Sequence, residues 1–204
     1  MNKKESILIT GGQGDLAVAL ASQLKDRFEV YKPSREELDV SSPESVSEYF
    51  SDKEFDVVVN LAGCLYSARV LESEEDKWIR DINVNLIGTY LVCRNTLRKN
   101  SKARLVNVSS TASFNHYPDW TSYCSSKAGV NKLSLGLALD GYNVTIMCPG
   151  AIDTKLRDGL SINNPNVMTV EEGIAPIMEA IDGKYQTGDI VFYRKGEMKI
   201  IPIS

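Results

Sequence analysis

Six short runs of β-branched and apolar residues punctuate the chain: SILIT (6–10), FEVYK (28–32), DVVVNLA (56–62), RLVNVS (104–109), NVTIMC (143–148) and DIVFY (189–193). They are apolar on both faces instead of alternating, as strands are when helices cover a sheet from both sides. A shorter strand candidate lies at Leu38 to Val40. Helical periodicity fills the gaps. Leu16, Leu20 and Leu24 recur every four residues, as do Trp78, Ile82 and Leu86, and Val130, Leu133 and Leu137 form a third stripe. Strands alternating with helices predict an α/β fold: a doubly wound, mostly parallel sheet of six to seven strands with right-handed crossovers. The stretch LSINNPNVMT (160–169) has Asn, Pro and Ser without periodicity and reads as a loop. The tail RKGEMKIIPIS reads as a turn at Lys195 to Glu197 followed by a last extended segment.

Composition narrows the function classes. The 204 residues suit one domain spanning 1–204 with a full core. A net charge of −4 is the wrong sign for general nucleic-acid binding. No run approaches the ~20 apolar residues of a membrane span, and the opening MNKKESILITGG lacks the long apolar stretch of a secretory leader. Cys64, Cys93, Cys124 and Cys148 are scattered, the pattern of reduced thiols, which predicts a cytoplasmic protein. With His116 as the single histidine, neither a metal site nor a histidine-based triad is expected.

Chemistry first shows at ILITGGQGDLAVAL, a strand, a glycine-rich turn and a helix in sequence. In that context a glycine cluster predicts a nucleotide site. Gly11 allows the tight turn, Gly14 lets the backbone approach a pyrophosphate, and Ala17 is the small residue needed for helix–strand packing. The helix N-terminus then offers free N–H groups and its positive dipole end. Asp15 is a carboxylate beside phosphates, which repels them unless it points away and serves the first helical turn.

Further motifs follow in order: NLAG (60–63), NVNLIGTY (83–90), LVNVSSTAS (105–113), Tyr123-x-x-x-Lys127 and CPGAIDT (148–154). With the glycine turn they resemble the short-chain dehydrogenase/reductase family, from Ser6 to about Thr154, with a weaker echo at TGDIV (187–191). Ser110 precedes Tyr123 by the family's thirteen positions. The resemblance implies a single Rossmann-type domain and a catalytic tetrad of Asn85, Ser110, Tyr123 and Lys127, with Asn85 holding a water that links Lys127 to solvent. It implies a nicotinamide cofactor held by Gly11, Gly14, Asp15 and Leu16 at the turn, and by Asn60, Ala62 and Gly63 in the middle. Asp39 and Val40 belong beside the adenine, and Pro149, Gly150, Ile152 and Thr154 at the nicotinamide end, with Tyr123 and Lys127 touching it too. It also implies a homodimer or homotetramer. The residue types suit the reaction. A carbonyl that accepts hydride must gain a proton, and Tyr123 can supply it. A free tyrosine has a pKa near ~10, and a cation such as Lys127, one helical turn away, is expected to lower it. Ser110 is placed to polarise the substrate oxygen.

After the second strand an acidic residue selects the ribose of NAD, and a basic one the 2′-phosphate of NADP. Here Lys32, Ser34 and Arg35 occupy that region, Arg35 as a phosphate fork and Ser34 as an added hydroxyl. The expected cofactor is NADP(H), with NAD(H) as the alternative should Glu36 or Glu37 approach the ribose. The covering segment, 151–169, is brief and carries Lys155, Arg157, Asn163 and Asn164, which suggests a small or polar carbonyl or alcohol substrate. The glycine pattern T-G-x-x-G-x-x-A is nearer to the nucleotide-sugar-modifying branch, so an epimerase or dehydratase with retained cofactor is the second reading. A non-catalytic NADP(H) sensor is the third. The small C-terminal region speaks against the former, and the Tyr123–Lys127 pair against the latter.

Overall fold

The computed structural model describes residues 4–158 and 164–203. Seven strands form one sheet: β1 (Ser6–Ile9), β2 (Glu29–Tyr31), β3 (Val57–Asn60), β4 (Arg104–Val108), β5 (Val144–Pro149), β6 (Ile190–Arg194) and β7 (Glu197–Ile201). Their spatial order is β2-β1-β3-β4-β5-β6-β7. All pairings are parallel except β6–β7, a hairpin closed at Gly196. The helices are α1 (Asp15–Leu24), α2 (Pro43–Tyr49), α3 (Glu75–Ile82), α4 (Gly88–Lys99), α5 (Thr121–Leu139) and α6 (Val170–Ile181).

Residues of opposite parity along the strands feed two cores. Ile7, Ile9, Val57 and Val59 pack with Leu20 and Leu24 of α1 and with Ile174 and Ile177 of α6. Leu8, Val58, Leu105 and Val144 pack with Phe50 and Phe55 and with Val92 of α4. This is why the strand sequences are apolar throughout. Because β1 has β2 on one side and β3 on the other, the chain leaves successive strands in opposite directions there. The loops part beyond the carboxyl ends of β1 and β3, and a crevice opens between them.

Two expectations need correction. Leu38 to Val40 is not a strand. Arg35 to Glu37 turn, and Leu38 and Val40 anchor the second core as isolated buried side chains. The Trp78–Ile82–Leu86 stripe does not stay on one α-helix, since Asn83–Ile87 widens into a π-helical turn between α3 and α4. Helices α2 and α6 carried start signals that hydrophobic periodicity missed. Ser42 caps α2 with Pro43 in its first turn, and Thr169 and Glu172 make a reciprocal capping box on α6. The loop expected over 160–169 lies partly outside the described residues, as does Asn163.

Candidate active site

The turn after β1 is held open by its neighbours. The Thr10 hydroxyl accepts the backbone N–H groups of Leu61 and Ala62, each at 3.0 Å, and so ties the end of β1 to the end of β3. Gly11 has φ +69°, and a Cβ there would stand 2.9 Å from the Ala62 Cα. A Cβ on Gly12 would stand 2.1 Å from the Lys32 carbonyl oxygen, so this turn also presses on the chain leaving β2. Sequence reasoning singled out Gly11 and Gly14 and passed over Gly12, because the neighbour that forbids a side chain is twenty residues away. Gly14 begins α1, and no side chain caps the helix, so its first N–H groups face the crevice. The Asp15 carboxylate is turned elsewhere. It accepts the backbone N–H of Lys155 at 2.8 Å, linking the glycine turn to the segment after β5.

Three of the four tetrad residues meet in a cleft of about 860 Å³. Ser110 ends the loop after β4, while Tyr123 and Lys127 lie one turn apart on α5. The Lys127 ammonium donates to the Val108 carbonyl at 3.0 Å and lies 5.7 Å from the centre of the Tyr123 ring. Ser109 is committed elsewhere. Its hydroxyl donates to the Lys127 carbonyl at 2.9 Å and pins α5 to β4, which leaves Ser110 as the serine facing Tyr123.

Asn85 does not line the cleft. It sits in the π-helical turn, fully buried. Its side-chain oxygen accepts the Cys64 N–H and its amide donates to the Cys64 carbonyl, both at 2.9 Å, and to the Ser126 hydroxyl at 3.0 Å. Asn85 therefore braces the turn after β3 against α5. The extra residue in the helix is what aims it there, in keeping with π turns at functional sites.

Electrostatics reverse one expectation. On balance Tyr123 is raised, not lowered. Burial pushes the phenol up to about 12, with the Ser110 hydroxyl opposing and the Asp81 carboxylate adding to the rise. Burial likewise pulls the Lys127 ammonium down to about 8. At neutral pH the pair is thus a phenol beside an ammonium.

The other predicted contacts divide. Gly11, Gly14, Asp15 and Leu16 line one end of the cleft, Arg35, Asp39 and Val40 its outer rim, and Ala62 and Gly63 its middle. Pro149, Gly150, Ile152 and Thr154 line the far wall. Arg35 is 72% exposed and reaches Asp39 at 3.3 Å. Burial of the Asp39 carboxyl is outweighed by the Ser41 hydroxyl and N–H and by Arg35, which hold it below the usual carboxylate range. Two residues are not brought in. Ser34 spends its N–H and hydroxyl on a turn with Glu37. Asn60 is buried in the sheet, where its amide donates to the Asn107 oxygen at 2.8 Å. Among the described residues no helix is long and apolar enough to cross a membrane, and no three of His, Cys, Asp and Glu cluster as a metal site.

Comparison with known proteins follows this geometry. Residues 4–165 match the model of the short chain dehydrogenase family. The chain is 32% identical over 168 residues to a 3-oxoacyl-(acyl-carrier-protein) reductase of Aquifex aeolicus, covering 76% of this chain and 67% of that protein. It is 36% identical over 118 residues to the reductase of the same name from Chlamydia muridarum, covering 54% of this chain and 48% of that one. The match thus spans only about half of the latter's length. Among solved structures, a small-chain dehydrogenase in complex with NADPH superposes with a TM-score of 0.85 at 20% identity, covering 95% of this chain and 98% of the other.

Proposed function

The chain belongs to the short chain dehydrogenase family, and on that footing we propose that it is an NADP(H)-dependent oxidoreductase acting on a small polar carbonyl or alcohol. The observation that carries this reading is the convergence of Ser110, Tyr123 and Lys127 in one cleft whose other end is the uncapped N-terminus of α1. That cleft fits a dinucleotide. The free N–H groups of α1 suit a pyrophosphate, Gly11 and Gly14 leave room for it, and the Asp15 charge is directed at Lys155. Arg35 supports the 2′-phosphate of NADP over the ribose of NAD. It stands at the rim with most of its guanidinium exposed, and Tyr31 is followed by Lys32, Pro33 and Ser34 with no acid.

When bound, the nicotinamide supplies or accepts the hydride. The chain's part is the proton. Ser110 donates a hydrogen bond to the substrate oxygen and orients it toward Tyr123. Tyr123, a phenol at neutral pH, gives its proton to that oxygen as negative charge develops there. The Lys127 ammonium stabilises the phenolate left behind. Asn85 keeps the turn after β3 and α5 in register so that the three groups stay aimed.

The polar rim of Lys155, Arg157, Asn164 and Asn166 supports a small polar substrate. The test is NADPH consumption against sugars, sugar phosphates, diketones, aldehydes and 3-oxoacyl thioesters. Turnover fastest with small polar carbonyls is expected. Fastest turnover of large apolar ketones would remove the substrate assignment, and binding of NADPH without any turnover would favour the sensor reading.

A further inference from the structure

The β6–β7 hairpin brings to the cleft a charged side chain that the proton-handling residues do not use. Arg194 is the last residue of β6, and β5 separates β6 from β4. The three strands are parallel. At their carboxyl ends Ser110, Gly150 and Arg194 follow one another across the sheet, and all three line the cleft. Neighbouring strands lie roughly 4.8 Å apart, so the chain at Arg194 is about 10 Å from the chain at Ser110. Alternation fixes the face. Ile190 packs with Leu135 of α5, and Phe192 and Arg194 follow at every second position. Arg194 therefore stands on the face of the sheet that α5 covers, the side of Tyr123 and Lys127.

Its neighbours aim the side chain. A Cβ on Gly150 would stand 2.7 Å from the Arg194 Cβ, so the two strands close up here. The guanidinium lies 5.9 Å from the centre of the Phe192 ring, and Phe114, in the loop after Ser110, meets that ring edge-on at 5.8 Å. Across the hairpin the Glu197 carboxylate accepts from Arg194 Nε. The two terminal nitrogens have no partner among the described residues, and the side chain is 56% exposed. They form a planar fork of the kind that fits a carboxylate or a phosphate. Glu197 does not cancel the charge, because Lys199 shares it, and two cations face one carboxylate.

Other charges along the cleft are placed differently. Arg35 pairs with Asp39 at the rim, and the Lys155 backbone is bound to Asp15 at the glycine turn. Asp119, tied to the Ser67 hydroxyl at 2.9 Å, lines the wall before α5 and repels an anion from that side. We propose that Arg194 selects a substrate carrying an anionic group, a carboxylate or a phosphate, a few bonds from the carbonyl or alcohol carbon that faces Tyr123. This deepens the oxidoreductase reading given above and rests on it.

The test compares the neutral carbonyls dihydroxyacetone and acetoin with the carboxylates acetoacetate and levulinate and with dihydroxyacetone phosphate. Binding to the purified chain is measured by calorimetry in excess NADP, which keeps the phosphate probe from the pyrophosphate end of the cleft. NADPH consumption is followed in parallel. Anionic members are expected to bind and turn over about tenfold better than neutral ones, and Arg194→Met is expected to remove most of that advantage, mainly through KM. Arg194→Lys keeps the charge without the fork and restores part of it. Whichever of the carboxylates or the phosphate loses more names the anion. Equal handling of neutral and anionic carbonyls by the wild type overturns the proposal. So does an equal loss in Arg157→Met, which would assign the preference to the general charge of the rim. Anion binding that needs Arg194 but comes with no NADPH consumption keeps the anion site and removes the oxidoreductase reading. Turnover confined to neutral carbonyls does the reverse.

Discussion

Lys127 is an ammonium kept 94% out of water at a cost in stability. Its pKa falls from 10.5 to about 8 on folding, so between those values the unfolded chain binds more protons than the native one. Stability from this group therefore rises with pH across that window. Below pH 8 the penalty is fully present, on the order of 3 kcal/mol, and above about 10.5 it vanishes. Lys127→Met is expected to stabilise the fold at pH 7 by about 1–3 kcal/mol, a gain that shrinks as pH rises, and to abolish turnover. Denaturant unfolding at pH 7 and pH 10 checks the sign, and equal stability at both pH values would count against it. That Tyr123, Lys127 and Ser110 share one cleft was legible in the sequence because their spacing is local and their residue types specific. The buried Asp81 carboxylate, which accepts from the Cys64 thiol, the Tyr66 N–H and the Ser122 hydroxyl, was not, because those residues are adjacent to it only in space. The direction of the Tyr123 shift was hidden for a similar reason. A four-residue spacing shows a nearby cation but not the burial that outweighs it.

Among the elements, two glycines make opposite demands. Gly12 lies where the turn after β1 presses on the Lys32 backbone, so Gly12→Ala must displace one of the two chain segments. A loss of about 2–4 kcal/mol is expected, together with weaker dinucleotide binding. Gly136 lies in α5 with nothing within 4 Å of the position of a Cβ. Gly136→Ala is expected to stabilise by about 0.5–1 kcal/mol. Thermal unfolding of the two variants side by side tests the pair, and a neutral Gly12→Ala would show that the turn is looser than drawn. The sequence announced β1, β3, β4 and β5 through unbroken apolar runs, since strands buried on both faces need no alternation. It misled at Leu38 to Val40, where apolar residues anchor a turn instead of pairing in a ladder. The π-helical turn was invisible because one extra residue per turn leaves no mark on composition.

On the scale of the whole molecule, the crevice beside β1 gathers the glycine turn, Ser110, Tyr123 and Lys127, and the segment after β5 from chain positions some 140 residues apart. Parallel order of this kind was legible from alternating strands and helices, whereas the antiparallel β6–β7 hairpin at the far edge was readable only as a turn and an extended tail. The proposed preference for NADP(H) belongs to this scale, because Arg35 stands at the rim of the cleft. Arg35→Ala is expected to weaken NADPH binding by about tenfold, roughly 1.4 kcal/mol, and to leave NADH binding unchanged. Titration of both nucleotides checks it, and equal losses would return Arg35 to a surface charge paired with Asp39. In the proposed reaction Tyr123 passes the proton while the rest of the cleft holds the nucleotide. Its most direct test is Tyr123→Phe, comparing NADPH affinity and single-turnover rate with the best carbonyl found. Unchanged NADPH affinity with a rate lowered by about 10²–10⁴-fold is the expected result. A variant that turns over at the wild-type rate would show that another group supplies the proton.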